Sequence, residues 1–129
     1  MIFIDTNYIL RFLLNDINSQ HEDAKNLFLS ASEGKSALIT STIVFFEIYW
    51  VLSSYYERNK TEVANVLEKV LSLNFIEMEE RELLFKSLSL FKKINLDLED
   101  CYNVCYAKSK GIRSFKTFDK KLDKEFSKN

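Results

Sequence analysis

The sequence predicts one α/β domain over residues 1–129, a small parallel sheet flanked by helices. Three observations point there. Short apolar runs of strand length alternate with longer amphipathic runs along the whole chain, the pattern of parallel strands joined by helical crossovers. A chain of 129 residues can bury one core and is short for two domains. Hydrophobic residues make up 47% and charged residues 29%, a globular balance rather than a disordered one.

Taken in order, Ile2 to Ile4 reads as a short buried strand, and Tyr8 to Leu14 as a helix with Ile9, Phe12 and Leu13 on one side. Asn15 to Asn18 is a turn. Ser19-Gln20-His21-Glu22 has the spacing of a capping box and opens a helix through Ala24, Leu27 and Phe28. Gly34 stops that helix, and Ser36 to Thr40 (SALIT) is the second strand. STIVFFEIYWVLSSYYE opens on two capping residues, Ser41 and Thr42, and continues as an apolar helix. Asn59-Lys60-Thr61-Glu62 caps the next helix, whose stripe is Val63, Val66, Leu67 and Val70. Phe75 to Met78 is a weaker strand. Glu80 to Lys93 is amphipathic through Leu83, Leu84, Leu88 and Phe91, and a further helix opens at Asp97-Leu98-Glu99-Asp100 and ends at Gly111. SFKTF, residues 114–118, completes the sheet as a last strand, after which Asp119 opens a short final helix.

Several function classes are excluded. No apolar run reaches the roughly 18 residues of a membrane helix, and no basic-then-apolar leader marks the start for export, so the chain reads as cytoplasmic. Cys101 and Cys105 share a helix face at a spacing that suits neither a disulfide nor a zinc site, and read as small core residues. There is no glycine-rich phosphate loop and no GxSxG. His21, the one histidine, sits in a helix's first turn and reads as a surface residue rather than a general base. Net charge is −1, yet residues 108–128 carry eight Lys or Arg against three acids. A solvated face is the ordinary meaning of such a run.

Carboxylates at element ends carry the chemistry. In a parallel sheet the ligand crevice lies beyond the carboxyl ends of the strands. Asp5 follows the first strand and Asp119 the last. Glu47 interrupts the apolar run Ile43 to Leu52, where a buried carboxylate is costly without a partner. Asp100 lies in a helix's first turn, where Asp is also favoured for purely local reasons, as it is at Asp97. Four converging carboxylates require a cation, since one like-charge pair at ~4 Å costs about 4 kcal/mol at an effective dielectric of 20. An all-oxygen set suits Mg²⁺ or Mn²⁺ rather than zinc, and such ions support phosphodiester hydrolysis.

These residues are similar to those of a known family. MIFIDTN, ITSTIVFFEIYWVL, RNKTEVANVLEKVLSLNFIEM, LDLEDCYNVCYAKSKG and SFKTFD, in this order, resemble the PIN-domain ribonucleases, in particular the VapC-type toxins of toxin–antitoxin pairs. The resemblance implies a PIN-like three-layer domain and a metal-dependent endoribonuclease. It implies Asp5, Glu47, Asp100 and Asp119 as catalytic ligands of Mg²⁺ or Mn²⁺, with Asn7 and Thr117 in support. It also implies an RNA substrate, a cognate antitoxin and a homodimer. Lys116, Lys120 and Lys121 are candidates for holding the RNA backbone. Eleven Phe, six Tyr and one Trp are many rings for this length, and together with the resemblance they suggest a dimer burying part of Phe46, Tyr49, Trp50 or Tyr56.

Two readings compete. A non-catalytic PIN-like binding module would keep the acidic pocket without cleaving. A Mg²⁺-binding receiver domain needs an acidic pair after its first strand and an Asp after its third, but Asp5 stands alone and the third strand ends near Glu77. A phosphatase of the haloacid dehalogenase type lacks the second Asp of its motif in DTN.

Overall fold

The structure, a computed structural model, describes residues 1–128. The chain divides into two compact units, Met1–Glu80 and Arg81–Asn129.

The first unit holds the sheet: β1 (Ile2–Phe3), β2 (Leu38–Thr40) and β3 (Ile76–Met78), in the order β1-β2-β3 with both pairings parallel. Ile2 is in register with Leu38, and Leu38 in turn with Ile76. Leu38, Thr40, Ile76 and Met78 are buried on one face, while Ile39 is half-buried and Glu77 exposed on the other. The crossovers are helical, as a parallel sheet demands. Helices α1 (Thr6–Leu14) and α2 (Asn18–Ser32) link β1 to β2. Helix α3 (Thr42–Trp50), a π-turn (Val51–Tyr55) and α4 (Lys60–Leu71) link β2 to β3. Ile9, Leu10, Phe28, Phe45, Ile48, Leu52, Leu67 and Leu71 fill the core of this unit.

Local signals set most boundaries. Ser41 Oγ accepts from the Val44 amide at 3.3 Å and Asn59 Oδ1 from the Glu62 amide at 2.9 Å, so both expected caps form. Gly34 ends α2 at φ +78°, with Lys35 N–H donating to Ser30 O and Gly34 N–H to Ala31 O. A Cβ at Gly34 meets no neighbour within 4 Å, so only the left-handed backbone resists a side chain. Gly34→Ala is therefore expected to lower stability by about 1–2 kcal/mol in chemical denaturation.

The capping box at Ser19 does not form. Helix α2 begins two residues earlier than that box implies, at Asn18, with Ile17 at the cap position and no side-chain cap bond. Asn15, in the left-handed region at φ 50°, ends α1 and turns the chain straight into α2. The expected long apolar helix is also interrupted, since beyond Trp50 it loosens into the π-turn, where Tyr56 N–H reaches Val51 O at 3.1 Å. The end of that turn is tied back by Tyr56 Oη, which donates to Asp16 Oδ2 at 3.0 Å, while Arg11 grips both oxygens of Asp16 at 2.9 and 3.0 Å.

The second unit is helical: α5 (Arg81–Lys93), α6 (Leu98–Ser109) and α7 (Lys120–Ser127). Helices α5 and α6 pack through Leu84, Leu88, Phe91, Leu98, Cys101 and Val104. Both cysteines are free thiols, Cys101 buried and Cys105 half-buried. Gly111 ends α6 at φ +69° with the same bonding pattern as Gly34.

The expected last strand is absent. Among the described residues the sheet has three strands, and residues 112–117 run irregularly to α7 without joining a ladder. The phenylalanines and threonine of SFKTF fit a strand only where an edge receives them. Here Phe115 instead stacks on Phe126 of α7, ring centroids 4.8 Å apart. Among the described residues no helix is long and apolar enough to cross a membrane.

Candidate functional site

Asp5 lies two residues beyond β1. Its position is fixed from below: Ile4 N–H donates to Ile39 O at 2.9 Å, and Thr40 Oγ1 donates to Ile4 O at 2.7 Å. Asp5 is also the N-cap of α1, its Oδ1 accepting from the Tyr8 amide at 3.1 Å. A carboxylate here answers the positive end of a helix dipole, and one oxygen suffices for the cap. Asn7, in the first turn of α1, is exposed.

Glu47 is not the buried carboxylate expected from its apolar surroundings. Val44, Phe45, Phe46 and Ile48 face the core, whereas Ile43, Glu47 and Trp50, at i, i+4 and i+7, form one exposed stripe of α3. Two large apolar residues on the outer face made that face look internal in the sequence. Glu47 is held by a residue that sequence reasoning missed: Thr6, buried to 7% exposure, donates its Oγ1 to Glu47 Oε2 at 3.2 Å. Thr6 thus joins the start of α1, where Asp5 sits, to the middle of α3. The signal for it in the sequence is the polar run Asp5-Thr6-Asn7.

In the second unit, Asp119 is the N-cap of α7 rather than the tip of a strand. Its Oδ1 accepts from the Lys121 and Leu122 amides at 2.9 and 3.1 Å, and its own N–H donates to Thr117 Oγ1 at 3.0 Å. Asp97 occupies the cap position of α6 without a side-chain bond, leaving Asp100 in the first turn. Burial pushes the Asp100 carboxyl above its ordinary range, and the negative charges of Asp97, Asp119 and Glu99 push it further. Asp100 and Asp119 are therefore close enough to feel one another.

Each unit supplies two of the four candidates, Asp5 with Glu47 and Asp100 with Asp119. Asp5 and Asp119 each spend one oxygen on a helix cap, and Glu47 spends one on Thr6, so the second oxygen of each is available to a cation. Among the described residues, no group of three or more His, Cys, Asp or Glu side chains is placed to hold a metal ion as it stands. The donor chemistry still fits a hard divalent ion, being oxygen throughout, and the mutual repulsion around Asp100 is of the kind that a cation relieves. Lys116, Lys120 and Lys121 are all exposed. His21 is half-buried, with Nδ1 3.1 Å from Arg11 O and its ring stacked on Phe12 at 6.0 Å.

Comparison with known proteins bears on this arrangement. The chain is 23% identical over 124 residues, covering 96% of its own length and 91% of the other's, to a protein of Aquifex aeolicus (strain VF5) named VapC ribonuclease. No solved structure matches it. Residues 2–125 match the PIN domain, nearly the whole of the sequence, and the chain belongs to the PIN-domain family.

Proposed function

We propose that this protein is a metal-dependent endoribonuclease of the VapC type, the toxin of a type II toxin–antitoxin pair acting in the cytoplasm. What carries this reading is the match to the PIN domain over residues 2–125, together with a relative named as a ribonuclease that aligns over 96% of the chain. The oxygen-only acidic set supports it, with Asp5, Asp100 and Asp119 at helix starts, Glu47 in the middle of α3, and a second oxygen left on Asp5, Glu47 and Asp119.

In this reading Asp5, Glu47, Asp100 and Asp119 hold Mg²⁺ or Mn²⁺, and the ion, when bound, activates water and offsets charge at the phosphate. The protein's own part is positional. The α1 and α7 caps fix the rotamers of Asp5 and Asp119, and Thr6 fixes that of Glu47. Thr117 holds the backbone of Asp119, and Asn7 stands beside Asp5 as a polar contact for ligand or water. Lys116, Lys120 and Lys121 provide positive charge for the RNA backbone. A cognate antitoxin silences the enzyme. The homodimer reading gains from Trp50, which with Ile43 and Tyr55 is an exposed large apolar residue, whereas Phe46 already belongs to the core.

Sequencing RNA ends after induced expression tests the reading. New ends at a small set of sites, absent with Asp119→Asn, are expected; an unchanged end profile contradicts it. Thr6→Val, which keeps the shape and removes the hydroxyl, is expected to lower cleavage by about 10- to 100-fold, the usual cost of losing a partner that orients a metal ligand. Dose-dependent rescue of that variant by added Mn²⁺ in a cleavage assay would place the defect at the ion.

A further inference from the structure

Residues 115–118 alternate. Phe115 and Thr117 are half-buried, Phe115 against Phe126 and Thr117 bonded to the Asp119 amide, while Lys116 and Phe118 are exposed. In an extended chain, residues two apart share a face. Phe118 is wholly solvent-exposed, at 107% of its reference area. A lone exposed phenylalanine is ordinary, but this one is held out by pinned neighbours. It is also next to Asp119 in the chain and flanked in sequence by cations: from Ile112 to Leu122, Arg113, Lys116, Lys120 and Lys121 stand against the single acid Asp119. The ring that anchors Phe115, that of Phe126, also lines a cavity of about 380 Å³ with Lys108, Arg113 and Lys128. An aromatic face set among spaced cations is the arrangement by which single strands are gripped, a base on the ring and phosphates on the charges.

We propose that Phe118 is a stacking platform for an unpaired nucleobase, with Lys116, Lys120 and Lys121 holding the neighbouring phosphates. The ring calls for an unpaired base, because a paired base offers no free face. This rests on the ribonuclease reading and adds Phe118 to it as a binding residue. The exposed ring supports nothing within the fold, so its removal acts on RNA alone.

The test is fluorescence anisotropy with a labelled single-stranded RNA and with a blunt RNA duplex, both in EDTA so that neither is cut. Phe118→Ala is expected to weaken single-strand binding about ten-fold, to leave duplex binding and the melting temperature as they were, and to shift KM more than kcat once Mg²⁺ is restored. Phe118→Trp is expected to keep wild-type affinity. Lys116→Ala is expected to weaken both RNAs and flatten the salt dependence of binding. Equal single-strand affinity in Phe118→Ala, or an equal loss on duplex, overturns the proposal. So does a change in sedimentation with RNA binding intact, which would make Phe118 a protein contact. Wild-type protein that neither binds nor cleaves RNA overturns the ribonuclease reading itself, whereas wild-type activity with an indifferent Phe118→Ala overturns only the stacking.

Discussion

Asp5→Asn is expected to fold like the wild type and to lose RNA cleavage by more than about 100-fold, beyond the usual cost of perturbing a ligand's outer partners. The observed cap and the proposed ligand role of Asp5 make this substitution informative. As the N-cap of α1 it needs only one side-chain oxygen facing the Tyr8 amide, and Asn supplies that as well as Asp does. As a metal ligand it needs the negative charge, which Asn lacks. Asp5→Ala removes both, and is expected to lose activity and about 1 kcal/mol of stability with it. Thermal melting of the three proteins beside a cleavage assay separates the roles. Full activity in Asp5→Asn would mean that the residue is a cap and nothing more.

Asp100→Asn is expected to do two things of opposite sign: abolish cleavage to a similar degree and raise the stability of the metal-free protein. Asp100 is half-buried, and its carboxylate feels Asp97, Asp119 and Glu99, so its charge opposes folding until a cation is bound. Solvent screens these repulsions, which puts the gain at a few tenths to about 1 kcal/mol. Mg²⁺ should then raise the melting temperature of the wild type and not that of Asp100→Asn, since a ligand stabilises only the form that binds it. A variant less stable than the wild type in EDTA would show that Asp100 serves the start of α6 and not an ion.

What the sequence made legible follows from which interactions are local. The three parallel strands, the caps at Ser41 and Asn59 and the glycine stops at Gly34 and Gly111 depend on a few consecutive residues, and the structure bears them out, except that the first strand is not buried as expected: Ile2 and Phe3 are exposed and only Ile4 beyond them is buried. The fourth strand depended on an edge to receive it, which no property of SFKTF could guarantee, and Phe115 found a partner in Phe126 instead. Glu47 was misplaced because Ile43 and Trp50, which share its face, are apolar yet exposed. The π-turn after Trp50 has no composition signal at all; Val51 to Tyr55 is as good a helix by propensity as what precedes it. Thr6 escaped notice because its importance lies in a contact 41 residues away in sequence. The acids stand out in the sequence, but their use as helix caps shows why a carboxylate at an element's end is ambiguous alone: Asp5 and Asp119 each satisfy a local rule with one oxygen, and the proposed site would use the other.

Purified protein incubated with a long RNA in EDTA, then with Mg²⁺ or Mn²⁺, alongside Asp5→Asn and Asp119→Asn, is the most direct measurement. Internal cleavage that begins on adding the ion, stops with chelator and is missing from both variants is the expected result. Cleavage that persists in EDTA or in either variant, or none with any divalent ion, would contradict a nuclease centre built on these carboxylates.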